Sequence, residues 1–136
     1  MSAARTRSRR TLPLPSLATD RTTTCVYGLA ALDARGRLAD HAVITALGWT
    51  PGLRLHIRVT TRLLVVHADP EGDCAITRQG HLRVPALIRH QCGLGTGDRV
   101  LLAAEPDTGQ LIIVPPAALD AFLTQQRSNL SGGESA

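Results

Sequence analysis

The sequence contains no lysine, so all 15 of its basic side chains are arginine. Arginine can bind a phosphate through two parallel hydrogen bonds, although a coding bias toward GC-rich arginine codons explains the same composition. Aromatic residues make up only 2% of the 136 residues, which argues against modules that stack bases on aromatic side chains. A hydrophobic core must therefore be built from Leu, Val, Ile and Ala.

Long apolar runs and closely spaced cysteines are also absent. No apolar run approaches the roughly 20 residues that span a membrane. Cys25, Cys74 and Cys92 lack the spacing of a zinc or redox site and favour buried thiols in a reducing compartment. The Arg9-Arg10 pair precedes a short apolar stretch that two prolines interrupt, which argues against an export signal. We therefore expect a cytoplasmic protein without a metal, a cofactor or a membrane partner.

The formal net charge of +4 belongs to the beginning of the chain. Residues 1–24 hold five arginines and one aspartate, whereas the other ten arginines are balanced by ten acidic residues. The same segment is rich in Ser, Thr and Pro, which predicts a disordered basic leader at 1–24 that attracts polyanions without sequence preference. The Ser- and Gly-containing end predicts a disordered tail at 128–136.

The segment between the leader and the tail repeats itself at an offset of 44 residues. The aligned ranges are 32–38 with 76–82, 42–44 with 86–88 and, after one inserted residue, 48–55 with 93–100. An offset that persists over successive elements indicates internal duplication. We predict a first unit at 25–70 and a second unit at 71–114, which share one core because neither is large enough to be stable alone.

Each unit follows the same local pattern. A short strand meets a glycine turn at Gly36 or Gly80, and a second short strand leads to a helix at about 41–47 or 85–91. Apolar and polar residues then alternate over 53–59, as in a strand with one buried face, and a turn closes a hairpin. A C-terminal helix follows at 115–127, with Leu119, Phe122 and Leu123 expected to face inward. The predicted fold class is mainly β with short helices, at the border of all-β and α+β.

Two motifs resemble a known family. Residues 80–89 read GHLRVPALIR and residues 92–100 read CGLGTGDRV, which is similar to the AbrB/MazE/SpoVT family of swapped-hairpin DNA-binding domains. Residues 33–38, DARGRL, resemble the Asp-x-x-Gly-Arg signature of MraZ-type proteins, which also carry two units per chain. The resemblance implies a swapped-hairpin barrel formed by two tandem pseudo-symmetric β-β-α-β-β units, in a bacterial regulator of transcription.

Basic residues on the glycine turns and near the helices are the candidate DNA contacts. They are Arg35, Arg37, Arg78, His81, Arg83 and Arg89. The acidic residues Asp98, Glu105 and Asp107 lie in the following hairpin, so we expect one basic face and an acidic opposite end. A solvated surface of locally balanced arginines is the alternative interpretation.

The resemblance assigns DNA contact to Arg37 and, in the second unit, to Arg89. The sequence departs from the family pattern at three places. His81 replaces the turn arginine of the second unit, Asp40-His41 replaces the usual apolar-Pro pair of the first unit, and Thr45 stands where the helix arginine of the first unit would be. These departures weaken or remove half of the expected phosphate contacts. They favour an alternative function in which the chain keeps the fold and loses DNA binding.

Two functions follow from these observations. The first is a DNA-binding transcriptional regulator whose partner is double-stranded DNA. The alternative is a protein-interaction or antitoxin-like module that binds a protein partner through its C-terminal helix; a homo-oligomer is compatible with both. We do not expect an enzyme, because the sequence has no recognisable Ser/His/Asp arrangement or catalytic carboxylate pair. The glycine-rich residues 93–98 lack the Lys of a P-loop and are interpreted as a turn between a helix and a strand.

Overall fold

The protein is mainly β with a few helices, as the sequence predicts, although one of the helices has 20 residues. The structure, a computed structural model, describes residues 24–135, so all but the last residue of the predicted leader lies outside the described residues. The first half consists of β1 (Val26–Ala31), β2 (Arg37–Leu38), α1 (His41–Ala46), β3 (Arg54–Val59) and β4 (Leu64–Ala68). The second half consists of β5 (Cys74–Ala75), β6 (Leu82–Arg83), α2 (Ala86–Cys92), β7 (Arg99–Glu105) and β8 (Gln110–Val114), and α3 (Pro116–Ser135) ends the chain.

The two halves share their sheets. Six strands form one antiparallel sheet in the order β1-β7-β8-β4-β3-β5, and β2 pairs with β6 in a separate two-stranded sheet. The first strand of each half pairs with the third strand of the other half, because β1 pairs with β7 and β5 pairs with β3. Both sheets therefore contain strands from both halves.

The pairing registers are related by an approximate two-fold axis. Leu38 of β2 lies opposite Leu82 of β6, and these two residues occupy equivalent positions in the two halves. Val65 and Ile112, on β4 and β8, form a second such pair. Loop hydrogen bonds repeat the relation: the amide of Leu32 donates to the carbonyl of Asp98, and the amide of Ile76 donates to the carbonyl of Leu53. The structure thus arranges the repeated elements as symmetry-related partners.

The core lies between the two halves and is aliphatic. On β3, Leu55 and Ile57 are buried, whereas Arg54, His56 and Arg58 are exposed, which confirms the predicted alternation. The largest fully buried side chains are Leu32, Leu38, Leu55, Leu64, Ile76, Leu82, Leu102, Leu111, Ile113, Val43, Val66 and Val84. Trp49 is the single aromatic residue in this core cluster.

Helices α1 and α2 begin and end near their predicted positions. The residues of α1 that correspond to those of α2, however, differ by one position from the predicted alignment. The main-chain amides of Ile44 and Arg89 each donate a hydrogen bond to the carbonyl of the residue that precedes their helix. The main-chain carbonyls of the same two residues each accept a hydrogen bond from the amide five residues later. Ile44 is therefore the counterpart of Arg89, and the predicted equivalence of Thr45 with Arg89 is wrong. The inserted residue precedes the second helix, where two residues rather than one connect Leu82 to the residue that caps the helix.

The C-terminal helix differs most from expectation. The inward orientation predicted for its apolar residues is wrong, because Phe122 is 60% and Leu123 is 47% exposed and Leu119 is only half-buried. The two halves already fill the core, and α3 leaves the sheet after Pro115. The helix also continues to Ser135, through most of the predicted tail, and the side chain of Gln125 donates to that of Asn129 one turn later (3.3 Å). Within residues 24–135, no helix is long and apolar enough to cross a membrane.

Candidate nucleic-acid interface

The first glycine turn is organised by an aspartate. The Asp33 carboxylate accepts hydrogen bonds from the main-chain amides of Arg35 (2.9 Å) and Arg37 (2.8 Å), and it accepts a third from Arg37 Nε (2.7 Å). The hydrogen bond from the Arg37 amide is the largest cause that lowers the pKa of Asp33 to about 2. Gly36 closes the turn with a φ of 78°, a left-handed conformation that favours glycine. The turn therefore holds Arg35 and Arg37 in fixed main-chain positions.

Four of the predicted DNA-contact residues come together at this turn. A shallow pocket of about 390 Å³ is lined by Ala34, Arg35, Arg37, Thr77, Arg83 and Arg89. We call the four arginines the arginine cluster. Arg37 and Arg83 lie directly opposite each other between β2 and β6, and Asp33 forms an ion pair with Arg37 only.

Most of the cluster has no acidic partner among residues 24–135. The ion pair between Arg37 and Asp33 is the only one formed within residues 24–135. Arg35 and Arg83 are exposed to solvent, and Arg89 is half-buried. Three guanidinium groups therefore face the pocket without a carboxylate to neutralise them, which makes the pocket a local concentration of positive charge on an otherwise balanced body.

Arg89 reaches the cluster from the other half of the chain. Its Nε donates to the main-chain oxygen of Val84 (3.0 Å), and the amide of Val84 donates to the carbonyl of Gly36 (2.7 Å). The guanidinium lies against Gly36 so closely that a Cβ on this residue would stand 2.8 Å from Arg89 Nε. The absence of a side chain at Gly36 thus makes room for the helix arginine.

The second glycine turn is built differently. Thr77 takes the place of Asp33 and accepts a hydrogen bond from the amide of His81 (3.0 Å) through its hydroxyl. His81 is half-buried, and its Nδ1 is buried without a hydrogen-bond partner among the described residues. Arg78 lines a separate cleft near Trp49. Thr77 lines the pocket of the arginine cluster, but Arg78 and His81 do not.

Sequence reasoning did not assign Asp33, Gly36 or Thr77 a role in shaping the cluster. Asp33 has a visible signal, since it stands four positions before Arg37 and can bond back to the turn. Gly36 and Thr77 gain their roles from contacts between the halves, which no local pattern encodes. Within residues 24–135, no three His, Cys, Asp or Glu side chains are grouped so as to hold a metal ion.

Comparisons of the chain with protein-family models, with curated proteins and with solved structures find no match. The arginine cluster is therefore the feature on which a function can be proposed.

Proposed function

We propose that the protein is a non-enzymatic DNA-binding regulator of transcription that acts in the cytoplasm of a bacterium. Arg35, Arg37, Arg83 and Arg89 contact the phosphates and base edges of duplex DNA. The observation that carries the proposal is the convergence of these four side chains on one pocket with a single carboxylate among them.

The guanidinium groups of the cluster are suited to binding the phosphodiester backbone of DNA. A guanidinium group can bind a phosphate through two hydrogen bonds, and each such contact releases a counterion from the DNA. Arg35, Arg83 and Arg89 form no ion pair within residues 24–135, so a phosphate bound in the pocket would pair with positive charges that are otherwise uncompensated. The leader arginines at 1–24 add non-specific attraction.

We further propose that the fold is the swapped-hairpin barrel of the AbrB/MazE/SpoVT type, with two units in one chain as in MraZ-type proteins. The exchange of first strands between the halves supports this assignment, as does the pairing of Leu38 with its own counterpart Leu82. The Asp-x-x-Gly-Arg motif supports it too, because Asp33 and Gly36 form the turn that presents Arg37. Such a chain would be a pseudo-dimer with one intact arginine cluster.

A titration of the full-length chain with labelled duplex DNA, followed by fluorescence anisotropy, tests the proposal. Arg83→Gln should weaken binding by about tenfold, the loss expected for one charge-assisted contact. Arg62→Gln is the matched control, because Arg62 is equally a surface arginine but lies in the turn between β3 and β4, outside the cluster. All three proteins keep the leader, so a difference between them reports on the cluster. Equal affinities for the two variants, or no binding at low salt, would contradict the proposal.

The alternative, a protein-interaction or antitoxin-like module that retains the fold, is favoured by the exposed face of α3. Phe122 and Leu130 are 60% and 69% exposed on this helix, and Leu130 lies on the same side as Leu123, seven residues earlier. A protein partner bound there would bury apolar surface that now faces solvent. Sedimentation of the wild-type chain and of Phe122→Ser distinguishes a homo-oligomer from a complex with another protein. Self-association of the wild type that is lost in the variant identifies a homo-oligomer. If the wild-type chain is monomeric, the partner of α3 is a different protein.

A further inference from the structure

A second cleft, distinct from the arginine cluster, lies beneath the second glycine turn. It has a volume of about 380 Å³ and is bounded by α1 on one side and by Arg78 and Gly80 on the other. Ile44, Trp49 and Pro51 provide its apolar surface. A cavity of this size falls within the range of small-molecule sites.

The approximate two-fold axis explains why this cleft is open. At the symmetry-related position, Arg89 extends from α2 and covers Gly36. The residue equivalent to Arg89 is Ile44, whose shorter side chain is 5% exposed. As a result, apart from its chain neighbours, no atom of the described residues lies within 4 Å of the position that a Cβ on Gly80 would occupy. The first helix thus leaves empty the volume that the second helix fills with a guanidinium group.

The polar groups of the cleft are matched to an anion. Arg78 stands at the cleft and forms no ion pair within residues 24–135. His41 and Thr45, whose side chains are 3.4 Å apart on α1, and the nearby Thr50 offer further polar contacts. Among residues 24–135, no Asp or Glu lines the cleft. A ligand with an apolar body and one carboxylate would therefore meet apolar walls and an uncompensated cation.

We propose that this cleft binds a small organic acid with an aromatic or branched aliphatic body and a single carboxylate. The body lies against Ile44, Trp49 and Pro51, and the carboxylate pairs with Arg78. The site shares no residue with the arginine cluster, so ligand binding here does not depend on whether the chain binds DNA.

Trp49 gives a direct measurement, because it is the only tryptophan of the chain and it lines the cleft. The full-length chain is titrated with phenylpropionate while Trp49 fluorescence is recorded. We expect a saturable change. The neutral amide phenylpropionamide should bind about tenfold more weakly, as expected for the loss of one charge-assisted contact. No saturable change, or equal binding of acid and amide, would overturn the proposal.

Two variants locate the site. Arg78→Gln should weaken phenylpropionate binding to the level of the amide and leave binding of the amide unchanged. Ile44→Arg should fill the cleft and abolish binding of both compounds, whereas Leu87→Arg adds the same charge at a residue that is 72% exposed on α2 and should bind as wild type does. If circular dichroism shows that Ile44→Arg is unfolded, the result for Arg78→Gln decides. Wild-type affinity for the acid in Arg78→Gln would refute the assignment.

Discussion

Alanine at Gly36 is the most informative single perturbation of the arginine cluster. Gly36 has a φ of 78°, and a Cβ there would lie 2.8 Å from Arg89 Nε and 2.8 Å from the main-chain oxygen of Val84. Gly80 is the matched control, since its φ is 84° and, in the part of the chain that the structure describes, a Cβ there would have no atom within 4 Å apart from its chain neighbours. The two substitutions share the backbone cost and differ in the steric one.

The magnitudes follow from these contacts. A non-glycine residue in the left-handed region costs about 1–2 kcal/mol, so Gly80→Ala should lower the free energy of unfolding by that amount. Gly36→Ala should cost roughly 1–3 kcal/mol more, because the Val84 carbonyl belongs to the main chain and cannot move away freely. Urea unfolding of both variants, followed by Trp49 fluorescence, measures the difference.

The same pair of variants separates stability from function. The methyl group on Gly36 displaces the guanidinium of Arg89, so affinity for duplex DNA should fall by about tenfold under conditions in which the variant is folded. Gly80→Ala should bind DNA as the wild type does. Equal unfolding midpoints and equal DNA affinities for the two variants would refute the role assigned to the contact between Gly36 and Arg89.

Three further predictions follow from the turn, the axis and the terminal helix. Since the folded-state pKa of Asp33 lies below its ordinary value, the wild type should lose stability relative to Asp33→Asn as the pH falls from about 4 to 2, measured by thermal unfolding. Leu38→Ala and Leu82→Ala should each cost about 2–5 kcal/mol, and the double variant should deviate from their sum because the two side chains are paired across the axis. Phe122→Ser should change the free energy of unfolding by less than about 0.5 kcal/mol, because the side chain is largely exposed, and a larger loss in urea would place it in a packed contact.

Much of the local structure could be predicted from the sequence, because it depends on near neighbours. The alternation around Leu55 and Ile57 predicted a strand with one buried face, and the turn glycines marked where the chain reverses. The residue-by-residue correspondence between α1 and α2 was harder to predict from the sequence. The similarity of residues 42–44 to 86–88 suggested one alignment, whereas main-chain hydrogen bonds at Ile44 and Arg89 establish another.

The cluster itself depends on contacts that sequence spacing does not encode. Arg89 covers Gly36 because β2 of the first half pairs with β6 of the second half, directly before α2. Arg78 lines the other cleft although its neighbour Thr77 lines the cluster. For α3, periodicity identified which residues are apolar but not whether another element covers them. Phe122 is an example, since the apolar side of a helix can pack on the core of its own chain or be exposed for a partner to bind.

The salt dependence of DNA binding tests the central proposal most directly. For the full-length chain, the logarithm of the association constant is measured against the logarithm of the salt concentration, and the measurement is repeated with Arg35→Gln/Arg83→Gln. Each phosphate contact contributes a slope of about 0.9, so the slope of the double variant should be shallower by about 2. Identical slopes for the two proteins would contradict the assignment of phosphate binding to the arginine cluster.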